Sequence, residues 1–193
     1  MKINREIRET IIMIVIAVIV FLGMRFSVQT YVVNGPSMEP NYTQNEWVIV
    51  NKLEYKFGDP ERGDIAIVWS PIEVNKRYIK RVIGLPGESV EIRDGTVYVY
   101  TVAGEKLTLV EPYIKYPVVA DFPKTLVPEG HYFVMGDNRV NSLDSRAGWT
   151  IARKDMIGKA WLNIWPVSRW GLALNYMLPN STAAQSSNNG EVK

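Results

Sequence analysis

Hydrophobic and polar positions are spread very unevenly along the chain. Ile11 to Met24 reads IIMIVIAVIVFLGM, with no charged or strongly polar side chain. The run is apolar on every face, so it does not read as the one-sided helix of a globular core. It is shorter than the roughly 18 residues usually asked of a spanning helix. Phe26, Ser27 and Val28 lengthen it if Arg25 snorkels to the far interface. Lys2, Arg5 and Arg8 precede the run and point the N-terminus to the cytoplasm. Gly23-Met24-Arg25 is a poor small-x-small cleavage site. The expectation is a cytoplasmic N-terminus over 1–10 and a retained transmembrane helix over 11–28. A removed signal peptide and a buried helix are the alternatives.

Beyond the run, short alternating segments of β-branched and aromatic residues take over. Strands are predicted at Trp47–Asn51, Asp64–Trp69, Arg77–Ile83, Ser89–Arg93, Thr96–Tyr100, His131–Met135 and Lys159–Ile164. Asp94-Gly95 joins two of them and supplies the positive φ angles of a type I′ hairpin turn. No helical pattern long enough for βαβ units separates the strands. The prediction is a mostly β, coiled, barrel-like domain over 29–178. Pro179 to Lys193 is small, polar and aperiodic, and reads as a disordered tail. Trp161 to Trp170 contains Trp165 and Trp170, a residue type enriched at membrane interfaces. Packing in the core is the open alternative. Pro166, Arg169 and Asn175 argue against a second spanning helix there.

Composition narrows the chemistry. The chain has 193 residues, 47% hydrophobic and 22% charged, with net charge +2. This excludes a polytopic membrane protein and a wholly disordered chain. Without a dense Lys/Arg run it also argues against nucleic-acid binding. There is no Cys, hence no thiolate nucleophile and no disulfide framework. The one histidine, His131, cannot build a multi-His metal site, and no metal or cofactor is expected.

Three segments could carry a reaction. Asn34-Gly-Pro-Ser-Met-Glu-Pro40 puts Ser37 on a tight turn, which can expose a hydroxyl and aim main-chain N–H groups at one point. Alone, it reads rather as a polar turn that places the domain near the membrane. In the strand Arg77–Ile83, Tyr78, Lys80 and Val82 share one face, with Ile79, Arg81 and Ile83 on the other. Arginine does not deprotonate in proteins, so of the adjacent pair only Lys80 can act as a base. It needs its pKa lowered by desolvation, which Tyr78 and Val82 could supply. Alone, it reads as a solvated strand lysine. Gly136 to Arg146 is a polar loop dense in Asp, Asn, Ser and Arg directly after an apolar strand.

In this order, these segments resemble the bacterial type I signal peptidases. Ser37-Met38 with Pro40 is similar to the family's nucleophile box, and Gly63-Asp64-Ile65 through Trp69 to its central strand. Tyr78 to Gly87 is similar to its lysine box, and Gly136 to Arg146 to its last box. The resemblance covers roughly residues 5–175. It implies the fold shared by signal peptidases and self-cleaving repressors, with one N-terminal anchor. It implies a membrane-anchored serine endopeptidase that cuts secretory preproteins after small-x-small sites. Ser37 would be the nucleophile and Lys80 the general base. Ser142 would orient Lys80, Asp144 and Arg146 would hold the loop, and Asp137 and Asn138 would shape it. Some relatives carry a hydroxyl where this chain has Gly35, so the oxyanion region is reduced to Gly35 and the Ser37 N–H. Residues 88–130 would be a small β-extension without a catalytic role, and His131 would be structural.

The implied partners are preproteins and membrane lipid, with no nucleic acid, and the implied state is a monomer. The implied location is the bacterial cell membrane, with one pass and the catalytic domain outside. Alternatives are a self-cleaving Ser–Lys repressor-type peptidase, an inactive membrane-tethered peptide-binding β module, and a secreted protein whose signal peptide is removed.

Overall fold

The computed structural model describes residues 5–115, 117 and 120–175. Lys2 and the tail expected at 179–193 lie outside these residues. Helix α1 (Arg5–Ser27) leads directly into strand β1 (Val28–Val32). Then follow β2 (Trp47–Asn51), the one-turn helix α2 (Leu53–Phe57), β3 (Ile65–Trp69) and β4 (Arg77–Gly84). Four short strands come next: β5 (Ser89–Arg93), β6 (Thr96–Tyr100), β7 (Lys106–Thr108) and β8 (Phe122–Leu126). The remaining strands are β9 (His131–Met135), β10 (Ile151–Ala152), β11 (Met156–Trp165) and β12 (Gly171–Leu172).

The architecture is mostly β, a curled half-barrel sheet, as the alternation predicts. The main sheet runs β1-β2-β11-β3-β4-β9-β10, with β12 beside β11. Register shifts interrupt β11 against both β2 and β3, and β4 against β9. Such bulges bend and twist strands, which is how a sheet of this width curls. A second sheet, β7-β6-β5-β8, stands within the expected extension over 88–130. Asp94 and Gly95 take φ 50° and 76° at its hairpin, the positive angles expected of that turn.

Three apolar clusters fill the fold. Val33, Met38, Tyr42, Val48, Val50, Ile65, Ile67 and Ile79 pack together beneath the turn that carries Ser37. Val82, Val134, Tyr132 and Ile151 pack on the opposite side of the main sheet. Ile83, Val90, Ile92, Val97, Val99 and Phe133 join the two sheets. Gly84 lies where β4 leaves the main sheet for the small one. A Cβ there would lie 2.6 Å from Val90 Cγ2 and 3.1 Å from Phe133 Cβ.

The N-terminal segment departs from its expected limits. The helix is already formed at Arg5, inside the stretch expected at 1–10, where Arg5 pairs with Glu9 one turn on. It ends at Ser27, because Val28 already pairs with Asn51 as the first residue of β1. The bond from Lys52 N–H to the Ser27 carbonyl (2.8 Å) ties the helix end to the sheet. The boundary at 28 is therefore corrected. Among the described residues no helix is long and apolar enough to cross a membrane. The described apolar side chains of α1, including Ile11, Ile14, Ile16, Ile19 and Phe21, are exposed. Trp161, Trp165 and Trp170 are also more than half exposed, which removes the core-packing alternative for that segment.

Gly84→Ala is expected to destabilise the fold by about 1–3 kcal/mol, since the junction of the two sheets has no room for a methyl group. Urea unfolding with an unchanged slope would show this loss.

Candidate active site

Lys80 lies mid-strand in β4, opposite Ala66 of β3. Its neighbour in sequence, Arg81, points the other way, as strand alternation requires. This one step of the chain separates two chemistries.

On one face, Lys80 is 3% exposed, and its Nζ donates to Ser37 Oγ at 2.7 Å. The Tyr78 ring centroid lies 5.4 Å from the amine. Burial lowers the Lys80 pKa to about 8 against the pull of Asp144 and Asp137, with Arg146 reinforcing the drop. Roughly a tenth of the amines are then neutral at pH 7, about two hundred times more than for a free lysine.

On the other face, Arg81 is fully buried and forks onto Asp137, Nε to Oδ1 at 2.8 Å and Nη2 to Oδ2 at 2.7 Å. Arg81 Nη1 donates to the carbonyls of Gly63 and Leu174. Its guanidinium stacks 3.9 Å from the Tyr113 ring centroid. Asp137 also accepts from Asn41 Nδ2 at 2.8 Å, and the next residue, Asn138, donates its N–H to the Ser37 carbonyl at 3.0 Å. The Arg81 face thereby grips the same turn that offers Ser37 to Lys80.

That turn is a closed loop. Val33 and Glu46 bridge its base through Val33 N–H to Glu46 O (2.8 Å), and Asn45 N–H returns to Val33 O (2.9 Å). Met38 and Tyr42 pin it into the core with no exposure. Ser37 itself is half-buried. Gly35, at φ 89°, spends its N–H on Gln44 Oε1 at 2.8 Å. The oxyanion region expected at Gly35 and Ser37 therefore loses Gly35 as a donor. Among the described residues no acceptor takes the Ser37 N–H.

The last polar segment is cross-linked, as its composition predicts. Arg146 forks onto Asp144 (2.8 Å twice) and reaches the Arg139 carbonyl. Burial alone would push the Asp144 carboxyl up. The Arg146 guanidinium and the Gly136 N–H outweigh it and hold the pKa below the usual carboxylate range. Ser142 departs from expectation. Its buried Oγ meets no partner at full hydrogen-bonding geometry among the described residues and acts on the Asp144 carboxylate, which it helps hold down, so the expected bond to Lys80 is not made. It packs instead against Gly136, where a Cβ would lie 2.3 Å from both Ser142 Oγ and the Ser37 carbonyl.

Sequence reasoning missed Asn41 as part of the site; Arg81, Gly136 and Arg139 lie inside the segments it singles out but receive no role there. Arg139 is buried and forked onto Glu111. His131 is half-buried, with Nδ1 2.9 Å from Thr150 Oγ1, and among the described residues it makes no hydrogen bond to Ser37 or Lys80.

An open groove of about 810 Å³ leads to the pair. Its walls include Thr30 and Tyr31 of β1, Gly35 to Ser37, and Tyr78 to Lys80 of β4. Among the described residues β1 pairs with β2 alone, which leaves its other edge unpaired. The geometry offers a hydroxyl held by a buried amine that can lose its proton near neutral pH, beside a strand edge left unpaired among the described residues.

A family model described as signal peptidase, peptidase S26, matches residues 7–165. The chain is 39% identical over 165 residues to a probable signal peptidase I-2 of Synechocystis sp., covering 82% of this chain and 73% of that protein. It is 37% identical over 186 residues to signal peptidase IB of Staphylococcus aureus, covering 86% and 94%. A solved signal peptidase I from Enterococcus faecalis V583 is 34% identical, covering 52% of this chain and 96% of that chain at a TM-score of 0.44. The relatives define a class, the serine endopeptidases. The chain belongs to the signal peptidase family, peptidase S26, and its activity is the removal of signal peptides.

Two substitutions test the energetics. The folded pKa of Lys80, about 8, lies below its unfolded value, about 10.4, so the unfolded chain binds the proton more tightly. Wild-type stability should therefore rise between these pH values. Lys80→Met should be more stable by about 2–3 kcal/mol below pH 8, with the advantage fading by about pH 10. Denaturant unfolding across that range measures it. Arg81→Ala strands Asp137 as a buried, uncompensated charge and should cost about 3–5 kcal/mol in the same assay.

Proposed function

We propose that Ser37 and Lys80 are the nucleophile and general base of this peptidase, acting on secretory preproteins at the membrane. The 2.7 Å contact between Ser37 Oγ and a buried Lys80 amine of lowered pKa carries this reading. Neutral Lys80 takes the hydroxyl proton as Ser37 Oγ attacks the scissile carbonyl. The resulting ammonium gives that proton to the leaving amine, which departs as the new N-terminus. Water then attacks the acyl-enzyme with Lys80 again as base, releasing the signal peptide and freeing Ser37. The Ser37 N–H is available to the oxyanion, since nothing else among the described residues engages it.

The substrate lies extended in the groove and adds to the free edge of β1. Main-chain bonds hold it there, with small side chains at the first and third positions before the cut. Asp137 and Asn138 hold the nucleophile turn, while Asp144 and Arg146 brace the loop that carries Ser142. Ser142 orients the amine only after the hydroxyl turns to it.

Helix α1 is the membrane anchor in this reading, with the N-terminus inside and the 29–178 domain outside. Its exposed apolar side chains and the exposed Trp161, Trp165 and Trp170 support membrane contact. The monomer is the functional unit.

Cleavage of a model preprotein tests the assignment. Ser37→Ala and Lys80→Ala should each lower kcat by at least about a thousandfold, whereas His131→Ala should retain most of it. Wild-type kcat should rise with pH through about 8 as Lys80 loses its proton. Near-normal turnover by Lys80→Ala would end the dyad assignment.

A further inference from the structure

The nucleophile turn is gripped from two sides, and only the grip through Asp137 belongs to the segments already assigned. The second comes from far along the chain. Arg169 closes the short 310 turn Val167–Arg169, between exposed Trp165 and Trp170. Its Nη2 donates to the carbonyl of Pro40 at 2.8 Å and to that of Asn41 at 3.2 Å. Its Nη1 pairs with Glu46. Glu46 has no exposure, and the same oxygen accepts from Thr43 N–H at 3.0 Å and Thr43 Oγ1 at 2.6 Å. One guanidinium thus ties both limbs of the loop between Val33 and Glu46, the apex at Pro40 and Asn41 and the return at Thr43 to Glu46. The return limb is already closed at its base by main-chain bonds. The apex is held on one side by Asn41 to Asp137 and on the other by Arg169.

We infer that Arg169 is a positioning residue for Ser37: it sets the rotation of the turn on its base and so the aim of the hydroxyl at Lys80. The inference rests on the reading of Ser37 as nucleophile. Arg169 touches neither Ser37 nor Lys80 in any hydrogen bond of the structure, so it acts through the carbonyls of Pro40 and Asn41. Its chemistry suits the task, because a planar fork of donors can hold two carbonyls and a carboxylate at once, whereas an ammonium holds fewer in fixed geometry. The groove is lined by other residues, so peptide binding is not its province.

The test is steady-state kinetics on a model preprotein, using the full chain in detergent micelles. Rates are normalised to the folded fraction, and Ser37→Ala is run beside the Arg169 variants. Arg169→Ala should lower kcat about tenfold or more and leave KM within about twofold. The rising limb of its pH profile should stay near 8, since the Lys80 surroundings are untouched. Arg169→Lys should recover part of the lost kcat, because it still neutralises Glu46. If Arg169→Ala does not accumulate as folded protein, Arg169→Lys decides alone: kcat two- to fivefold below wild type at unchanged KM supports the inference. Wild-type kcat in either variant overturns it, as does a loss matched by the folded fraction or a change confined to KM. Full activity of Ser37→Ala would instead overturn the nucleophile assignment on which it stands.

Discussion

The buried pair of Arg81 and Asp137 is the constraint on which the site depends. A salt bridge with no exposure adds little stability by itself, because desolvating two charges offsets most of their attraction. What it provides here is registration. Arg81 is fixed in the main sheet by β4, and Asp137 opens the loop after β9. Their fork fixes the distance between the sheet and that loop, and Asn41 and Asn138 extend the same constraint to the nucleophile turn. Because Arg81 is the residue next to Lys80, the strand that carries the Lys80 amine also carries the clamp that brings the Ser37 hydroxyl to it. The two cannot drift independently.

The arrangement also explains how one strand sustains two cations with opposite fates. Both Lys80 and Arg81 are buried, yet only Arg81 faces a carboxylate that forks onto it. It stays charged. Lys80 faces a hydroxyl and the Tyr78 ring, while Asp137 and Asp144 act on it only at longer range. Desolvation then wins, and the amine loses its proton near neutral pH. Arg146 contributes in two ways: it keeps Asp144 ionised and occupied, and it adds positive charge that favours the neutral amine.

Local pattern made much of this legible. The strands β2, β5, β6 and β9 have the bounds that alternation predicts, and the opposite facing of Lys80 and Arg81 follows from a period of two. Ser37 and Lys80 as a pair came from the resemblance, since each segment alone reads as ordinary surface. Less legible were contacts between residues distant in sequence. Arg81 was set aside because it cannot be a base, and that permanence of charge is what suits it to a buried carboxylate. Arg169 lies 123 residues from Glu46, and no periodicity links them. The short strands β1, β7, β8, β10 and β12 escaped notice because they are two to five residues long and take their structure from neighbours. Val28 was assigned to the apolar run, but pairing with Asn51 outweighs its hydrophobicity.

Gly136 has a consequence beyond its own position. Ser142 Oγ and the Ser37 carbonyl crowd the space where its side chain would begin. Two polar segments that must meet around Lys80 are held apart by the thickness of a bare backbone and nothing more. Evolution has no smaller residue to try there and no gradual route to a larger one. The spacing between the Ser37 turn and the Ser142 segment is therefore frozen by an absence.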